Sequence, residues 1–473
     1  MKMYDIVVVG SGIGGTLFAS LNHQKHELLL FEKDTNLGGC CSTFKRFGNY
    51  YNTGATTFVG YEEGHLIKRI FDEVRYKPNL IHSKIGVRII QEKTIVDRVQ
   101  DFEDFVASID KEYPNSNNRI FWRTIKEIDE KFWQLKKLYY AKNSLSAYSK
   151  SMACLAELFT VYKSQLFMSA DAFIKKTLGN ISSEYQEFID AQLLITLQTK
   201  SKDLSLLTMA LGLAYTFHKT YYVQGGMGSM IEGLLENIPH KKNEGIMKII
   251  RHKAYYELHS EKEVYKAKNV VLNSTIYQSA KLFEEESIIK YYQKFKFSDQ
   301  SAFVLYLKVK SKADFLHHYQ IILKENIPNS ISNAFFVSFS DKSDEKLSKE
   351  GYSVTISTHT KAKMWKNLSK EDYKHQKSVT ENHIKEAFLN YFDTIHEDDI
   401  TKAFSATSKT FNHYIGRHNC GGEALKMKNI FSIPPCTTPF KGLYNIGDTV
   451  FAGQGWPGVA LGVDVLNKEF NHG

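Results

Sequence analysis

Tyr4-Asp-Ile-Val-Val-Val-Gly-Ser-Gly-Ile-Gly-Gly15 is the stretch that decides the fold of this chain. A short apolar run, Ile6 to Val9, breaks into the spaced glycines Gly10, Gly12 and Gly15 and continues as a segment compatible with a helix. In this pattern the first glycine permits a tight turn and the second lets a pyrophosphate approach the backbone. The third lets the helix pack close to its strand. The amino terminus of such a helix presents free N–H groups and a positive dipole end to phosphates.

A second apolar run, Leu28 to Phe31, ends in an acid, Glu32, twenty residues after Gly12. A carboxylate at the end of the second strand can accept hydrogen bonds from ribose hydroxyls. A bare glycine pattern also occurs as a turn in other α/β proteins. Strand, glycines, helix, strand and acid in this register together predict a dinucleotide-binding domain.

Size and composition are those of an ordinary globular protein. The 473 residues are 42% hydrophobic and 24% charged, and their number predicts two domains, with interleaved segments as an option. The net charge of +9 comes mostly from lysine, since nine of the 61 basic residues are arginine. The lysines are scattered, which favours a solvated surface over nucleic-acid binding, and weak attraction to an anionic membrane stays open.

Cysteine and histidine usage predicts neither a disulfide framework nor a metal site. The five cysteines are irregularly spaced, which indicates a reducing compartment, and the 17 histidines lack ligand spacing. No signal or transit peptide is expected before the first strand, and no apolar run reaches the ~18 residues of a membrane span. We therefore expect a cytoplasmic protein, or one held peripherally on the cytoplasmic face of a membrane.

The segments after Glu32 carry a family resemblance. Asn36-Leu-Gly-Gly-Cys-Cys-Ser-Thr-Phe44 precedes Asn52-Thr-Gly-Ala-Thr-Thr-Phe58. From composition alone, a surface turn accounts for these two segments no less well than a cofactor loop does. Glu-Lys-(x)₄-Gly-Gly followed by Gly-Ala-Thr-Thr-Phe nevertheless resembles the amino-terminal FAD signature of the carotenoid desaturase and isomerase family, within the amine-oxidase-like flavoproteins. Many desaturase-like relatives have a basic residue after the glycine pair, whereas Cys40-Cys41 is more similar to the isomerase branch.

The middle of the chain is apolar and less specific. The spacing of hydrophobic residues predicts an amphipathic helix over Ile120 to Tyr139. Residues 144–179 are rich in Met, Phe, Leu and Tyr, and Leu204 to Phe217 carries no charge. These two stretches are interpreted first as buried helices of a second domain, and otherwise as an apolar substrate channel or a helix in a membrane interface.

Further along, Val223-Gln-Gly-Gly-Met-Gly-Ser-Met230 predicts a turn opening a helix over Ile231 to Asn237. It resembles the element with which the family re-enters its FAD domain, and Ile246 to Ile249 takes the place of the strand that touches adenine. The segments Phe303–Val309, 335–339 and 352–358 are rich in β-branched and aromatic residues and predict a sheet.

The last seventy residues carry the second strong motif. Gly442-Leu-Tyr-Asn-Ile-Gly-Asp448 predicts a strand with Asp448 at its carboxyl end, where open α/β sheets bind ligands. Gly453-Gln-Gly-Trp-Pro-Gly-Val-Ala-Leu-Gly462 predicts a glycine-rich turn with Pro457 at the start of a helix that runs to Asn467. The amino terminus of this helix can stabilise negative charge on a flavin. Together the two motifs resemble the carboxy-terminal FAD motif of carotenoid isomerases and bacterial phytoene desaturases.

The resemblance implies an α/β fold in which a Rossmann-like FAD-binding domain of the glutathione-reductase type is interleaved with an α+β substrate domain. It implies FAD-domain segments at 1–75, 220–285 and 401–473, and substrate-domain segments at 76–219 and 286–400. The implied cofactor residues are Gly10, Gly12, Ile13, Gly14, Gly15, Glu32, Lys33, Gly39, Cys40, Ile246, Gly447, Asp448, Gly458 and Val459.

These motifs predict an FAD-dependent enzyme that desaturates or isomerises a long apolar polyene or isoprenoid. Only one complete dinucleotide fingerprint is present, so we expect no separate NAD domain. Electrons are then expected to reach or leave the flavin through the substrate, a quinone, oxygen or a transient donor. No catalytic constellation is identified. Phe58, Phe451 and Trp456 are candidates for stacking on the polyene or for packing the loops. The alternatives are a flavin-dependent saturase, an oxidase of another lipid or amine, and a non-catalytic flavin-binding partner protein.

Overall fold

The computed structural model describes residues 2–54, 56–295, 299–422, 426 and 432–472. Ala55, in the middle of the predicted Gly54–Phe58 motif, lies outside this set. The strands of the described residues are β1 (Met3–Val9), β2 (Leu28–Phe31), β3 (Thr43–Arg46), β4 (Asn49–Asn52), β5 (Phe58–Val59), β6 (Leu80–Ser83), β7 (Ile85–Gln91), β8 (Thr94–Val99), β9 (Thr220–Val223), β10 (His240–Lys241), β11 (Ile246–Arg251), β12 (Tyr256–Ser260), β13 (Val264–Leu272), β14 (Gln300–Val309), β15 (His318–Ile322), β16 (Ala334–Phe339), β17 (Tyr352–Lys361), β18 (Ile400–Ala406) and β19 (Leu443–Asn445).

The helices are interspersed among these strands. They are α1 (Ile13–Asn22), α2 (Leu66–Glu73), α3 (Phe102–Glu112), α4 (Asn118–Trp133), α5 (Leu145–Tyr162), α6 (Ala170–Leu178), α7 (Ser183–Leu197), α8 (Leu206–Leu213), α9 (Met227–Leu235), α10 (Glu286–Gln293), α11 (Ala362–Lys366), α12 (Lys370–Tyr391), α13 (Ser408–Ile415) and α14 (Gly455–His472).

The first sheet positions the predicted cofactor motifs. Its parallel strands run in the order β10-β2-β1-β13-β19, and the antiparallel strands β12 and β11 extend it from β13. Register places Val9 beside Phe31 and Leu272, and Leu272 beside Asn445. The loops after these strands therefore emerge side by side at the carboxyl edge, where open α/β sheets bind ligands.

The second sheet has the order β18-β14-β17-β16-β15-β7-β8 and is antiparallel except where β15 pairs with β7. The three predicted strands between 303 and 358 are its β14, β16 and β17. One face is packed by Ile384 and Phe388 of α12. Two smaller sheets, β3-β4 and β5-β9-β6, complete the described strands. The predicted mixed α/β fold class is confirmed.

Several predicted boundaries were wrong. The helix predicted to reach Tyr139 ends at Trp133, and the Glu157 carboxylate accepts hydrogen bonds from the backbone N–H groups of Lys136 and Lys137 in the segment that follows. The helix predicted from Ile231 begins at Met227, inside the glycine-rich turn. The terminal helix begins at Gly455, two residues before Pro457.

The two apolar stretches of the middle have opposite environments. Helix α8 is largely buried, as predicted, whereas only Ala147, Cys154 and Tyr162 are buried along the 18 residues of α5. The prediction of two buried helices was therefore wrong for α5, because apolar composition alone does not say what covers a helix. Among the described residues, no helix is both long enough and apolar enough to cross a membrane.

Candidate functional site

The amino terminus of α1 faces a large cavity at the carboxyl edge of the first sheet. Gly12 is the N-cap residue, and neither a side-chain cap nor an acidic residue in the first turn neutralises the helix end. Gly12, Ile13 and Gly14 line the cavity. The free N–H groups and the positive dipole end are therefore directed at the cavity, which is the arrangement that binds a pyrophosphate.

Close backbone approach at this end depends on glycine. A Cβ at Gly15 would lie 2.0 Å from the carbonyl oxygen of Gly10, so a side chain cannot be placed there without moving α1 from its strand. A Cβ at Gly14 would lie 2.9 Å from the backbone nitrogen of Gly447. The two predicted cofactor motifs, from opposite ends of the chain, thus meet in direct contact.

Glu32 organises the loops around the predicted ribose site. Its Oε2 accepts hydrogen bonds from the Ser11 backbone N–H at 2.9 Å and from the Ser11 hydroxyl at 2.6 Å. Its Oε1 accepts one from the N–H of Asp34 at 3.0 Å. The Ser11 hydroxyl in turn accepts one from the N–H of Gly38. A carboxylate has about four acceptor positions, so Glu32 retains capacity for a ligand hydroxyl on the cavity side that it lines.

Asp448 is held by a partner that sequence reasoning did not single out. The guanidinium of Arg417 donates to both carboxylate oxygens, with Nη1–Oδ1 at 3.0 Å and Nη2–Oδ2 at 2.8 Å, and both residues line the cavity. Burial alone would lower the pKa of Arg417, but the Asp448 carboxylate overrides this and raises the pKa well above its ordinary value. The only feature of the sequence that could have indicated Arg417 as this partner is that it is an arginine in a lysine-rich chain, four residues before the Gly421-Gly422 pair.

The Cys40-Cys41 pair lies in a turn beside this ion pair. Burial raises the pKa of the Cys40 thiol, and it raises the pKa of the Cys41 thiol to about 12. Both are therefore protonated thiols at neutral pH, whereas a reactive cysteine needs a stabilised thiolate. The chemistry therefore favours small residues that fill the loop over redox-active thiols.

Of the predicted cofactor residues, all but Gly15 line one cavity. Besides those described above, the set comprises Gly10, Lys33, Gly39, Ile246, Gly447, Gly458 and Val459. Gly15 lies one turn behind, where it allows the close packing of α1. Their individual roles toward a cofactor stay predictions.

The aromatic candidates divide into two kinds. Phe451 and Trp456 line the cavity, whereas Phe58 is fully buried and packs edge-to-face on Trp456 with ring centroids 5.2 Å apart. For Phe58 the geometry favours the loop-packing interpretation.

The cavity has a volume of about 1510 Å³ and continues from the glycine-rich loops into an apolar compartment. Helices α5, α7 and α8 supply its aliphatic walls, with Leu155, Leu158, Ile195, Leu197, Leu207 and Leu211. Small-molecule pockets usually measure about 300–1,000 Å³. The volume therefore exceeds that of a typical single-ligand site.

The amino-terminal region matches a known family. A model of the NAD(P)-binding Rossmann-like domain matches residues 8–74. Over most of its length the chain is also similar to chloroplastic prolycopene isomerase from Daucus carota, with 25% identity over 505 residues that cover 97% of this chain and 78% of the relative. A segment covering 15% of this chain is 38% identical to human all-trans-retinol 13,14-reductase and covers 12% of that protein.

The resemblance to the carotenoid desaturase and isomerase family is confirmed. Solved structures agree at the level of fold. An oxidoreductase from Methanosarcina mazei superimposes with a TM-score of 0.65 at 19% identity, covering 98% of this chain and 99% of the other. Cyclohexylamine oxidase from Brevibacterium oxydans gives a TM-score of 0.60 at 12% identity, covering 100% of both chains.

The ion pair between Arg417 and Asp448 yields a stability prediction. Asp448→Asn should lower the free energy of unfolding by about 3 kcal/mol, because it leaves a buried guanidinium without its counter-charge. Replacing both partners in Arg417→Met/Asp448→Leu should cost less than the sum of the two single substitutions. Denaturant unfolding of the wild type, the single variants Arg417→Met and Asp448→Leu and the double variant measures the coupling energy, and additive effects would contradict a strong pair.

Proposed function

We propose that this chain is an FAD-dependent enzyme that isomerises or desaturates a long apolar polyene of the carotenoid kind. The observation that carries the proposal is the continuity of one cavity from Glu32, past Asp448, to the aliphatic walls of α7 and α8. FAD bound at the first sheet would supply hydride exchange at its N5. The chain's own residues hold the cofactor, exclude water and align the substrate.

The residues present fit FAD from end to end. The uncapped amino terminus of α1 suits the pyrophosphate, and Glu32 suits the ribose hydroxyls. At the other end the amino-terminal residues of α14, including Gly458, line the cavity without an acidic residue in the first turn. A second helix terminus there suits negative charge on a flavin ring.

The apolar compartment supports a long hydrocarbon substrate. Leu207 and Leu211 lie four residues apart on α8, are partly exposed although their helix is buried, and line the cavity. They are therefore exposed to the cavity. An aliphatic wall binds a hydrocarbon by excluding water along its length and needs no charged partner.

Cis-trans isomerisation is the first of the two reactions in this proposal. Prolycopene isomerases match 97% of the chain, whereas the retinol reductase matches 15%. Isomerisation is redox-neutral overall and needs no external electron acceptor. A quinone or oxygen enters the proposal only for desaturation, in which two electrons must leave the flavin.

The cofactor assignment is tested at Glu32. Glu32→Ala removes the acceptor of Ser11 and of the ribose hydroxyls, and we expect FAD retention to fall about tenfold or more, since lost charge-assisted hydrogen bonds cost about 1.5–3 kcal/mol each. Flavin absorbance per polypeptide after gel filtration measures retention. The matched control is Glu27→Ala, which removes an acid whose side chain is 51% exposed. Equal flavin content in both variants would refute the role of Glu32.

The substrate assignment is tested in the apolar compartment. Expressed in cells that accumulate poly-cis carotenes, the wild-type chain should convert them to trans isomers, measured by pigment chromatography. Leu211→Trp adds bulk to the wall and should cut conversion about tenfold or more while flavin content stays constant, because overpacking and blockage act on the substrate. The control is Ile120→Trp, which adds the same bulky side chain on α4 at a residue that is 58% exposed.

The alternatives give different outcomes in the same system. More extensively conjugated pigments would indicate desaturation, and less conjugated ones a saturase. Unchanged pigments together with peroxide release from an added amine would establish an amine oxidase. Bound FAD without turnover of any of these substrates would indicate a non-catalytic flavin-binding partner protein.

An exposed apolar surface beside the cavity supports peripheral membrane association as part of this proposal. Helix α5 and the turn after it expose Leu145, Tyr148, Met152, Phe159, Val161 and Phe167, which we call the α5 patch. Tyr148 and Met152 of the patch also line the cavity. Lys142 and Lys163, both exposed, flank the patch and complement anionic headgroups.

The α5 patch predicts binding to anionic vesicles. Leu145→Glu/Phe159→Glu/Phe167→Glu should reduce co-sedimentation with phosphatidylserine-containing vesicles about tenfold or more, because it removes apolar insertion and adds repulsion. Ile95→Glu/Ile120→Glu/Val379→Glu makes the same charge change at exposed apolar positions elsewhere and should bind like the wild type. Equal loss in both triple variants would show a general charge effect and contradict docking through α5.

A further inference from the structure

We propose that Glu62, His65 and His218 form a binding site for a divalent transition-metal ion of the zinc type on the wall of the cavity. One ligand atom from each residue lies within 4.8 Å of the others, so a modest closure of the side chains brings all three to an ion. Histidine spacing in the sequence did not predict this site, because two ligands are three residues apart and the third comes from position 218.

Backbone geometry holds the three ligands together. Glu62 and His65 belong to one turn before α2, closed by a hydrogen bond of 3.0 Å from the His65 N–H to the Glu62 carbonyl. His218 lies two residues before the start of β9. The Glu62 carboxylate accepts a hydrogen bond from the backbone N–H of Lys219, which ties the two segments to each other. The imidazole rings of His65 and His218 are 4.6 Å apart between centroids.

A buried acid orients one of the imidazoles. Oδ2 of Asp129 lies 2.5 Å from Nε2 of His218, and the two side chains are only 5% and 14% exposed. A carboxylate only accepts, so Nε2 of His218 carries the hydrogen, and the neutral ring has its lone pair on Nδ1. Metal-binding histidines characteristically donate their other ring nitrogen to a carboxylate in this way. Asp129 also accepts a hydrogen bond from the Trp133 indole at 3.2 Å.

The donor set indicates the class of ion. Two imidazole nitrogens and one carboxylate suit zinc and other first-row divalent ions better than calcium or magnesium, which prefer oxygen ligands. Sites with three protein ligands keep coordination positions for water or another ligand. His65 and His218 line the cavity, so those positions face the space assigned to the substrate. This inference is independent of the proposed flavin chemistry.

Zinc titration of the full chain, purified with its cofactor and dialysed against a chelator, tests the site. Competition with a chromophoric chelator should reveal one strongly bound Zn²⁺ per chain. His65→Ala and His218→Ala should each weaken binding about 100-fold or more, and Asp129→Asn about 10–100-fold, as expected for the loss of an outer partner. Glu62→Gln should weaken it as well. Glu63→Gln changes the neighbouring acid, which is 88% exposed, and should leave affinity unchanged.

A second measurement uses the unaltered protein. Bound Zn²⁺ should protect His65 and His218 from diethyl pyrocarbonate, with modified residues identified by peptide mass spectrometry. A wild-type chain that binds Zn²⁺ no more tightly than His65→Ala, or one without protection at these histidines, would overturn the proposal. So would equal losses in Glu62→Gln and Glu63→Gln. Flavin absorbance and pigment conversion report separately on the proposed enzyme, so either assignment can fail alone.

Discussion

Three backbone hydrogen bonds across the carboxyl edge of the first sheet hold the candidate site together. The N–H of Gly10 donates to Phe31, that of Asn273 to Val9, and that of Ile446 to Leu272, at 2.8–2.9 Å. They continue the parallel ladder one residue beyond the strands. The glycine-rich loop, the loop after β13 and the loop before Asp448 therefore leave the sheet at one level. A shift of register in any strand would carry its loop away from the others, because each loop begins where its strand ends.

Sequence reasoning succeeded where a local backbone requirement determines the residue. Gly10 has a φ of +104°, and Gly14 and Gly15 lie where a Cβ would collide with backbone. Such positions reveal themselves in one chain, since few other residues fit. The partnership of Arg417 with Asp448 left no comparable trace. In the sequence, a basic residue of any loop could be the partner of Asp448. Only the three-dimensional fold determines which basic residue is buried against this acid.

The middle of the chain shows what composition does not encode. Helices α5 and α8 are both apolar, yet α8 packs in the protein interior and α5 exposes large side chains such as Leu145, which is 92% exposed. Apolar residues reduce their contact with water equally well against protein, a bound hydrocarbon or a lipid surface. Which of these surfaces an apolar helix packs against depends on neighbouring elements from distant parts of the chain. The same limit applies to Glu62 and His218, which are brought together by the turn before α2 and by β9.

The junction between the two ends of the cavity explains how one chain can serve both a polar cofactor and an apolar substrate. Gln454, in the glycine-rich turn before α14, donates to the carbonyl oxygen of Thr196 at 2.7 Å and accepts from the Gln198 side chain at 2.8 Å. These bonds fasten the predicted flavin loop to the carboxyl end of α7, where the wall residues Ile195 and Leu197 lie. Amide groups suit this position because they satisfy backbone partners without placing a charge beside a hydrocarbon. The junction therefore joins the predicted cofactor end to the apolar compartment through neutral amide groups.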